Sequence, residues 1–123
     1  MHPYTDMVRQ TAYDIHHYLA HGHLEKIYEN ALFHRLRKQG IPCERQKPIR
    51  VTDEDGTLLG TLIPDLVVDG GLLVEIKAVQ TLHAHHIAQL LGYLRAGEIK
   101  EGLLINFGHP TFQIRKFIQK SSP

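Results

Sequence analysis

The chain has 123 residues, of which 42% are hydrophobic and 22% charged, an ordinary globular composition that excludes an intrinsically disordered protein. Its 14 basic and 13 acidic residues leave a formal charge of +1, so any binding of nucleic acid must come from a local basic patch. The single cysteine, Cys43, excludes an intramolecular disulfide, and no apolar stretch is long enough for a membrane span. We therefore expect one domain over residues 1–123, in the cytoplasm and unattached to membrane, with Cys43 buried and unreactive.

Two amphipathic helices are predicted to begin the fold. Apolar side chains recur at helical spacing over residues 5–20, and Gly22 then turns the chain into a second helix over residues 23–39. In the second helix Glu25 lies in line with Leu32 on the apolar stripe. Its carboxylate should therefore sit at the edge of the face that packs on the rest of the protein.

Three antiparallel strands should follow the helices. Prolines interrupt the β-like residues 41–51, which favours an edge strand, and the acidic turn at 53–56 leads into a second strand over residues 57–68. Another tight turn at 69–71 makes this strand the first arm of a hairpin whose second arm covers residues 72–79. Side chains on one face of such a hairpin converge within contact distance.

The rest of the chain follows a strand, helix, strand pattern. A third helix should begin at Thr81 or His83 and end near Arg95, with strands over residues 102–107 and 112–118 after it. The crossover favours parallel pairing of the strands on either side of the helix. The predicted fold is therefore α/β, with a mixed sheet flanked by helices in the order α-α-β-β-β-α-β-β. The last four residues should be frayed.

Two opposite charges interrupt the most apolar of these strands. Glu75 and Lys77 share one strand face with Leu73 and Val79, because successive side chains point to opposite faces. Burying such charges costs several kcal/mol per ion unless each finds partners. The pair is therefore either a structural ion pair on a half-exposed face or part of a functional site, and the nearby Asp65 on the other arm of the hairpin favours a site.

Several short motifs in the same order resemble the PD-(D/E)xK nuclease superfamily and, within it, the small GxxExxY family. They are Gly22-His23-Leu24-Glu25-Lys26-Ile27-Tyr28, Pro64-Asp65, Glu75-Ile76-Lys77, Gln89-x-x-x-Tyr93 and Leu103-Leu104-Ile105-Asn106-Phe107-Gly108. Each dipeptide alone is common, whereas the ordered set on the expected elements is far more specific. The resemblance covers residues 5–118 and implies a restriction-endonuclease-like sandwich.

The resemblance also implies a metal-dependent phosphodiesterase site. Asp65 and Glu75 would bind Mg²⁺, with Mn²⁺ as a substitute, and water and the Ile76 carbonyl would complete the oxygen shell. Lys77 would orient or help deprotonate the attacking water and offset charge on the phosphate. Glu25 would bind the metal through water or support a second ion. These five residues are the expected catalytic and metal-binding core.

Four further side chains would surround this core. Gln89 would belong to the catalytic residues by holding Lys77 or the attacking water, and Tyr93 would touch the substrate backbone. Tyr28 and His85 are expected to contact substrate beside them. For Gln89 and Tyr93 an ordinary amphipathic helix edge is an equal alternative.

The function that these residues indicate is a metal-dependent nuclease acting on nucleic acid, with DNA ahead of RNA and with little sequence specificity. Cutting both strands of a duplex with one such site per chain would suit a homodimer. A second hypothesis is a nucleic-acid- or protein-binding module on the same fold without turnover. A third is a histidine-based metal protein, since His83, His85 and His86 cluster. The basic residues that would grip phosphates are Arg35, Arg37, Lys38, Arg45, Lys47 and Arg50.

Overall fold

A computed structural model describes residues 1–120, and the last three residues, part of the segment expected to be frayed, lie outside it. Three helices are present, α1 (Thr5–Leu19), α2 (Glu25–Lys38) and α3 (Ala84–Gly97). Seven strands accompany them: β1 (Cys43–Arg45), β2 (Ile49–Thr52), β3 (Leu58–Leu62), β4 (Leu66–Val68), β5 (Leu72–Lys77), β6 (Glu101–Asn106) and β7 (Gln113–Ile118). Within residues 1–120, none of the helices combines the length and the apolar character that crossing a membrane requires.

Five strands form one mixed sheet in the order β1-β4-β5-β6-β7. β4 and β5 pair antiparallel as the predicted hairpin, and β5 and β6 pair parallel across the helix α3. The remaining pairs in this sheet are antiparallel. The sheet carries helices on its faces, which confirms the predicted restriction-endonuclease-like α/β architecture.

The two strands predicted before the hairpin are each divided in the structure. Residues 41–51 give β1 and β2, and residues 57–68 give β3 and β4; β1 pairs with β4 in the main sheet, whereas β2 and β3 form a separate two-stranded sheet. Pro48 and Pro64 stand between the halves, and a proline cannot donate a hydrogen bond to a strand ladder. The backbone at Gln46, with φ of 55°, adds a left-handed turn at the first break.

Alternate residues of β5 face two different cores. Val74 and Ile76 are fully buried against α1 and α2, whereas Leu73 is fully buried on the opposite face with residues of α3. Complete burial of an aliphatic side chain contributes about 1.5–3 kcal/mol each, so both faces hold the strand firmly. Glu75 and Lys77 share the parity of Leu73 and therefore point to the α3 face.

The chain after β5 is clamped to the end of β6 by Asn106. This fully buried side chain accepts hydrogen bonds from Val79 N and Gly108 N, each at 3.0 Å, and donates to Val79 O and Gln113 Oε1, each at 2.9 Å. A side chain at Gly108 would collide with the backbone of Val79, so glycine permits this close approach. The clamp fixes the backbone immediately after Lys77.

Candidate active site

Two carboxylates meet where β4 and β5 diverge. Continuing the register of Leu66 opposite Val74 places Asp65 opposite Glu75. Glu75 Oε1 accepts a hydrogen bond from Asp65 N at 2.9 Å, and Asp65 Oδ2 accepts one from Ile76 N at 2.7 Å. Glu75 is only 4% exposed and Asp65 is half-buried. Each acid is thus held by the main chain beside the other, and each keeps a second oxygen for a further partner.

The main-chain carbonyl of Ile76 points to the same place. In a strand the N–H and C=O of one residue lie on the same side, and Ile76 N donates toward Asp65. Continuing the hairpin register puts Pro64 opposite Ile76, and proline has no N–H to offer that carbonyl. The Pro-Asp dipeptide therefore leaves a backbone oxygen free of a ladder partner beside the two carboxylates.

Charge is poorly tolerated on this carboxylate pair. Burial raises the pKa of Glu75 above its usual range, and the negative charge of Asp65 raises it further against the opposing effects of Asp65 N–H and Lys77. Burial also raises the pKa of Asp65; the Ile76 N–H opposes this, and the charges of Glu29 and Glu25 add to it. A cation between the two acids would relieve both the burial and the mutual repulsion.

A row of polar groups extends from β5 to α3. Lys77 Nζ donates to Gln89 Oε1 at 3.2 Å, and Gln89 Nε2 donates to the Tyr93 hydroxyl at 3.3 Å. Burial raises the pKa of Tyr93, and the negative charges of Glu75 and Asp65 raise it further. The hydroxyl is therefore a protonated group close to the carboxylates. Gln89 and Tyr93 thus form one hydrogen-bonded row with Lys77, and their role toward substrate stays a prediction.

Glu25 brings a third carboxylate to this place from α2. Burial raises its pKa, Lys77 lowers it, Glu29 raises it and the N–H of Ala78 lowers it. Glu25 therefore lies within electrostatic reach of the end of β5, and its side chain remains exposed. That Glu25 acts together with Asp65 and Glu75 stays a prediction.

Tyr28 does not line the site, contrary to the prediction that it touches substrate. Its ring is fully buried and stacks on Phe107 with the ring centroids 4.6 Å apart. Its hydroxyl donates to Ala20 O at 2.6 Å and accepts from His23 N at 3.1 Å. Tyr28 therefore shapes the turn, with Gly22 at φ of 112°, that delivers Glu25 to the site.

His85 is exposed at the start of α3, one turn before Gln89. Its ring lies 4.1 Å from that of buried His86, whose Nδ1 accepts a hydrogen bond from His83 N at 3.0 Å and so caps the helix. Burial lowers the pKa of His86, and the positive charges of His85, Lys77 and His83 lower it further. The role of His86 is thus structural, and a contact of His85 with substrate stays a prediction.

Glu29 is a buried acid near the site that the sequence did not reveal. It is 4% exposed, and its Oε2 accepts from Lys26 Nζ at 2.8 Å and from an Arg45 guanidinium nitrogen at 3.0 Å. Its charge acts on both Asp65 and Glu25. The available signal was its position one turn after Glu25, on the buried stripe of α2, where a charged residue is unexpected.

The donor set fits a hydrated divalent cation. Within residues 1–120, no three His, Cys, Asp or Glu side chains form a ready-made metal cluster. The site instead offers the carboxylates of Asp65 and Glu75 and the unpaired Ile76 carbonyl, which are hard oxygen ligands. Mg²⁺ is typically bound by one or two carboxylates and keeps several waters, so two acids and one carbonyl suit it.

Comparison with known proteins bears on the family and the fold of this chain. A family model described as the PD-(D/E)XK nuclease superfamily matches residues 2–117. The crystal structure of SSO0001 is similar, with a TM-score of 0.63 and 17% identity over 79% of this chain. The chain spans about half of SSO0001, 50% of its length, and this likeness concerns the fold. Among curated proteins no significant match is found. Because the family model covers almost the whole chain, the protein belongs to the PD-(D/E)XK nuclease superfamily.

Proposed function

We propose that the protein is a Mg²⁺-dependent nuclease of the GxxExxY type that hydrolyses phosphodiester bonds, with DNA ahead of RNA as substrate. One observation carries the proposal: Asp65 and Glu75 are held against each other by reciprocal main-chain hydrogen bonds. Two buried acids in this arrangement are costly without a cation, and the Lys77 ammonium on the same strand face supplies the positive charge that a phosphate needs.

Asp65, Glu75 and the Ile76 carbonyl would hold the ion. When bound, Mg²⁺ supplies a Lewis acid that polarises the phosphate and lowers the pKa of water. Glu25, exposed beside them, would accept hydrogen bonds from water molecules at the site. The carboxylates also exclude a second anion until a cation is present, so substrate and metal binding would depend on each other.

Lys77 and α3 would handle the reacting groups. Gln89 holds the Lys77 ammonium through its amide oxygen, and this fixes the flexible side chain in one orientation. Lys77 would then orient the attacking water and offset the negative charge that grows on the phosphate. The Tyr93 hydroxyl would donate a hydrogen bond to a phosphate oxygen of the substrate backbone.

The test is cleavage of single-stranded, duplex and branched DNA and of RNA with Mg²⁺ or Mn²⁺. We expect wild type to cut at least one substrate, and Asp65→Ala and Lys77→Ala to lose that activity. Asp14→Ala, on the exposed face of α1, is the matched control and should cut like wild type. Equal cutting by all four preparations would mean contamination and would reject the proposal.

A homodimer would let one site per chain cut both strands of a duplex. Sedimentation with and without duplex DNA measures this, and a monomer that nicks one strand would restrict the proposal to single-strand cutting.

A second candidate is a nucleic-acid- or protein-binding module that keeps the fold without turnover. One observation favours it: within residues 1–120, no three His, Cys, Asp or Glu side chains are grouped so that they could hold a metal ion. Tight binding without cleavage across both metals and all four substrates would support this candidate over the nuclease.

A further inference from the structure

A row of side chains leads away from the candidate active site along α2. Glu25, Glu29, Phe33 and Arg37 follow one another at intervals of four residues, so each side chain neighbours the next while the row winds about 120° around the helix. At 1.5 Å per residue the row is about 18 Å long. Its first two members are acids at the site, and its last member is an exposed arginine.

Two arginines gather around the aromatic ring in this row. The guanidinium carbon of Arg45 lies 4.6 Å from the centre of the Phe33 ring, and that of Arg37 lies 5.5 Å from it. Arg45 comes from β1 and Arg37 from the last turn of α2. Both positive charges also lower the pKa of buried Cys43, against the rise that its burial causes. Two like charges are therefore held together at one place on the surface.

This arginine pair is continuous with the site. Arg45 donates to Glu29, which also accepts from Lys26, and the next residue in β1, Gln46, donates its N–H to Asp65 O at 3.0 Å. The Arg45 side chain still has 34% of its surface exposed. The guanidinium also donates to Asn30 Oδ1, and its Nε is a buried donor without a hydrogen-bond partner among residues 1–120.

We propose that the substrate strand leaves the active site over this surface, where its phosphates bind to the cationic groups. The surface, called here the α2 ridge, consists of Lys26, Phe33, Arg37 and Arg45. The inference rests on the proposed function in that the other end of the strand occupies the carboxylate site.

The chemistry of the α2 ridge selects a phosphate backbone. Arg37 and Arg45 carry like charges near one ring, and an anion close to both lowers their repulsion. Planar guanidinium groups recognise phosphate oxygens through paired hydrogen bonds, and contact with an aromatic ring limits their motion. The acid within this surface, Glu29, is buried, so the exposed charge is positive.

A purely structural role for Arg37 is the alternative. A cation in the last turn of a helix stabilises the helix dipole. That role does not explain why Arg45, from β1, keeps a partly exposed side chain beside the same ring. It also predicts a change in melting temperature and no change in the affinity for DNA.

The experiment measures the affinity of the full chain for fluorescent single-stranded DNA in Ca²⁺, which also binds carboxylate and carbonyl oxygens, and a denaturing gel checks that the DNA stays intact. Oligonucleotides of about 3 and about 24 nucleotides are compared, because at about 3.4 Å or more per nucleotide only the longer one reaches from the site along the whole row. The variant is Arg37→Gln. The matched control is Arg115→Gln, since Arg115 is also exposed and also lies over an aromatic ring, 5.3 Å from Phe117, but on β7 at the opposite edge of the sheet.

We expect Arg37→Gln to weaken binding of the longer DNA about threefold or more, and to reduce the slope of log affinity against log salt by about 0.7, the value for one lost phosphate contact. The shorter DNA and the Arg115→Gln control should bind like wild type. Unchanged affinity, or equal losses in both variants, would overturn the ridge.

The two proposals can fail separately. If no metal supports cleavage while Arg37→Gln still weakens binding of the longer DNA selectively, the ridge stands and the nuclease fails. If wild type cuts DNA while Arg37→Gln binds it normally, the nuclease stands and the ridge fails.

Discussion

The parallel strands β5 and β6 carry a buried carboxylate at each end of their pairing, and the two acids have opposite surroundings. Glu101, at the start of β6, is 4% exposed and accepts from His2 N at 2.8 Å and from the Thr5 hydroxyl. Glu75, near the end of β5, is equally buried and accepts from Asp65 N, but it also lies beside the carboxylate of Asp65. A buried acid that meets only donors is satisfied within the fold, whereas a buried acid beside a second acid is relieved by a proton or by a bound cation.

Replacing Glu75 and Glu101 in turn with glutamine should distinguish the two ends of the β5–β6 pairing most clearly. Glu75→Gln removes a ligand charge, and we expect cleavage to fall by about 10²-fold or more. Glu101→Gln should keep the activity of the folded protein and lower the free energy of unfolding by about 1–3 kcal/mol, because a donor loses its partner. Cleavage assays at low temperature and urea unfolding measure the two effects. Equal losses of activity in both folded variants would contradict the distinction.

The metal-free protein should be less stable at high pH because of the two carboxylates at the candidate active site. The pKa values of Asp65 and Glu75 are raised by folding, so their contribution to stability is fully present below the ordinary carboxyl range and is lost as pH rises through the raised values. In EDTA at pH 8, Asp65→Asn should therefore raise the free energy of unfolding by on the order of 1 kcal/mol, and at pH 4 the gain should vanish.

Mg²⁺ should stabilise the protein more as the pH rises, because its carboxylate ligands must be deprotonated. The ion should raise the melting temperature of wild type more at pH 8 than at pH 6, and should leave Asp65→Asn unchanged. Asp14→Asn on the exposed face of α1 serves as the control. A loss of stability in metal-free Asp65→Asn at pH 8 would show that the charges of Asp65 and Glu75 do not destabilise the metal-free fold.

The smallest effect concerns the carbonyl beside the acids. Pro64→Ala restores an N–H opposite Ile76, and we expect it to compete with the metal for that oxygen. One such hydrogen bond contributes about 0.5–1 kcal/mol, so Mg²⁺ affinity should fall about two- to fivefold without loss of the fold. Calorimetric titration measures the change. An unchanged affinity would exclude Ile76 as a ligand.

The features that could be predicted are those carried by local patterns. The three helices, the hairpin and the parallel crossover follow from periodicity and turn residues, and the opposition of Asp65 and Glu75 follows from the hairpin register. The division of the strands 41–51 and 57–68 was missed, because pairing in two sheets depends on the fold around both prolines.

Helix edges proved the hardest to assign. Tyr28 and Glu29 adjoin on α2, and which of them meets the site depends on where Phe107 and Arg45 pack. Helical periodicity places a residue on a stripe, but the partner across that stripe comes from a distant part of the chain. Helical periodicity alone therefore predicts neither that Tyr28 is buried away from the site nor that Glu29 lies near it.

The stack of Tyr28 on Phe107 has a consequence for how activity arises during folding. It joins the turn before Glu25 to the residue just after β6, which are far apart in the chain, while Asn106 ties the same end of β6 to the chain that follows Lys77. Glu25 and Lys77 therefore reach their places only when the first and last thirds of the chain have both docked. A nascent or partly unfolded chain would lack this arrangement, so the candidate site exists only in the completed fold.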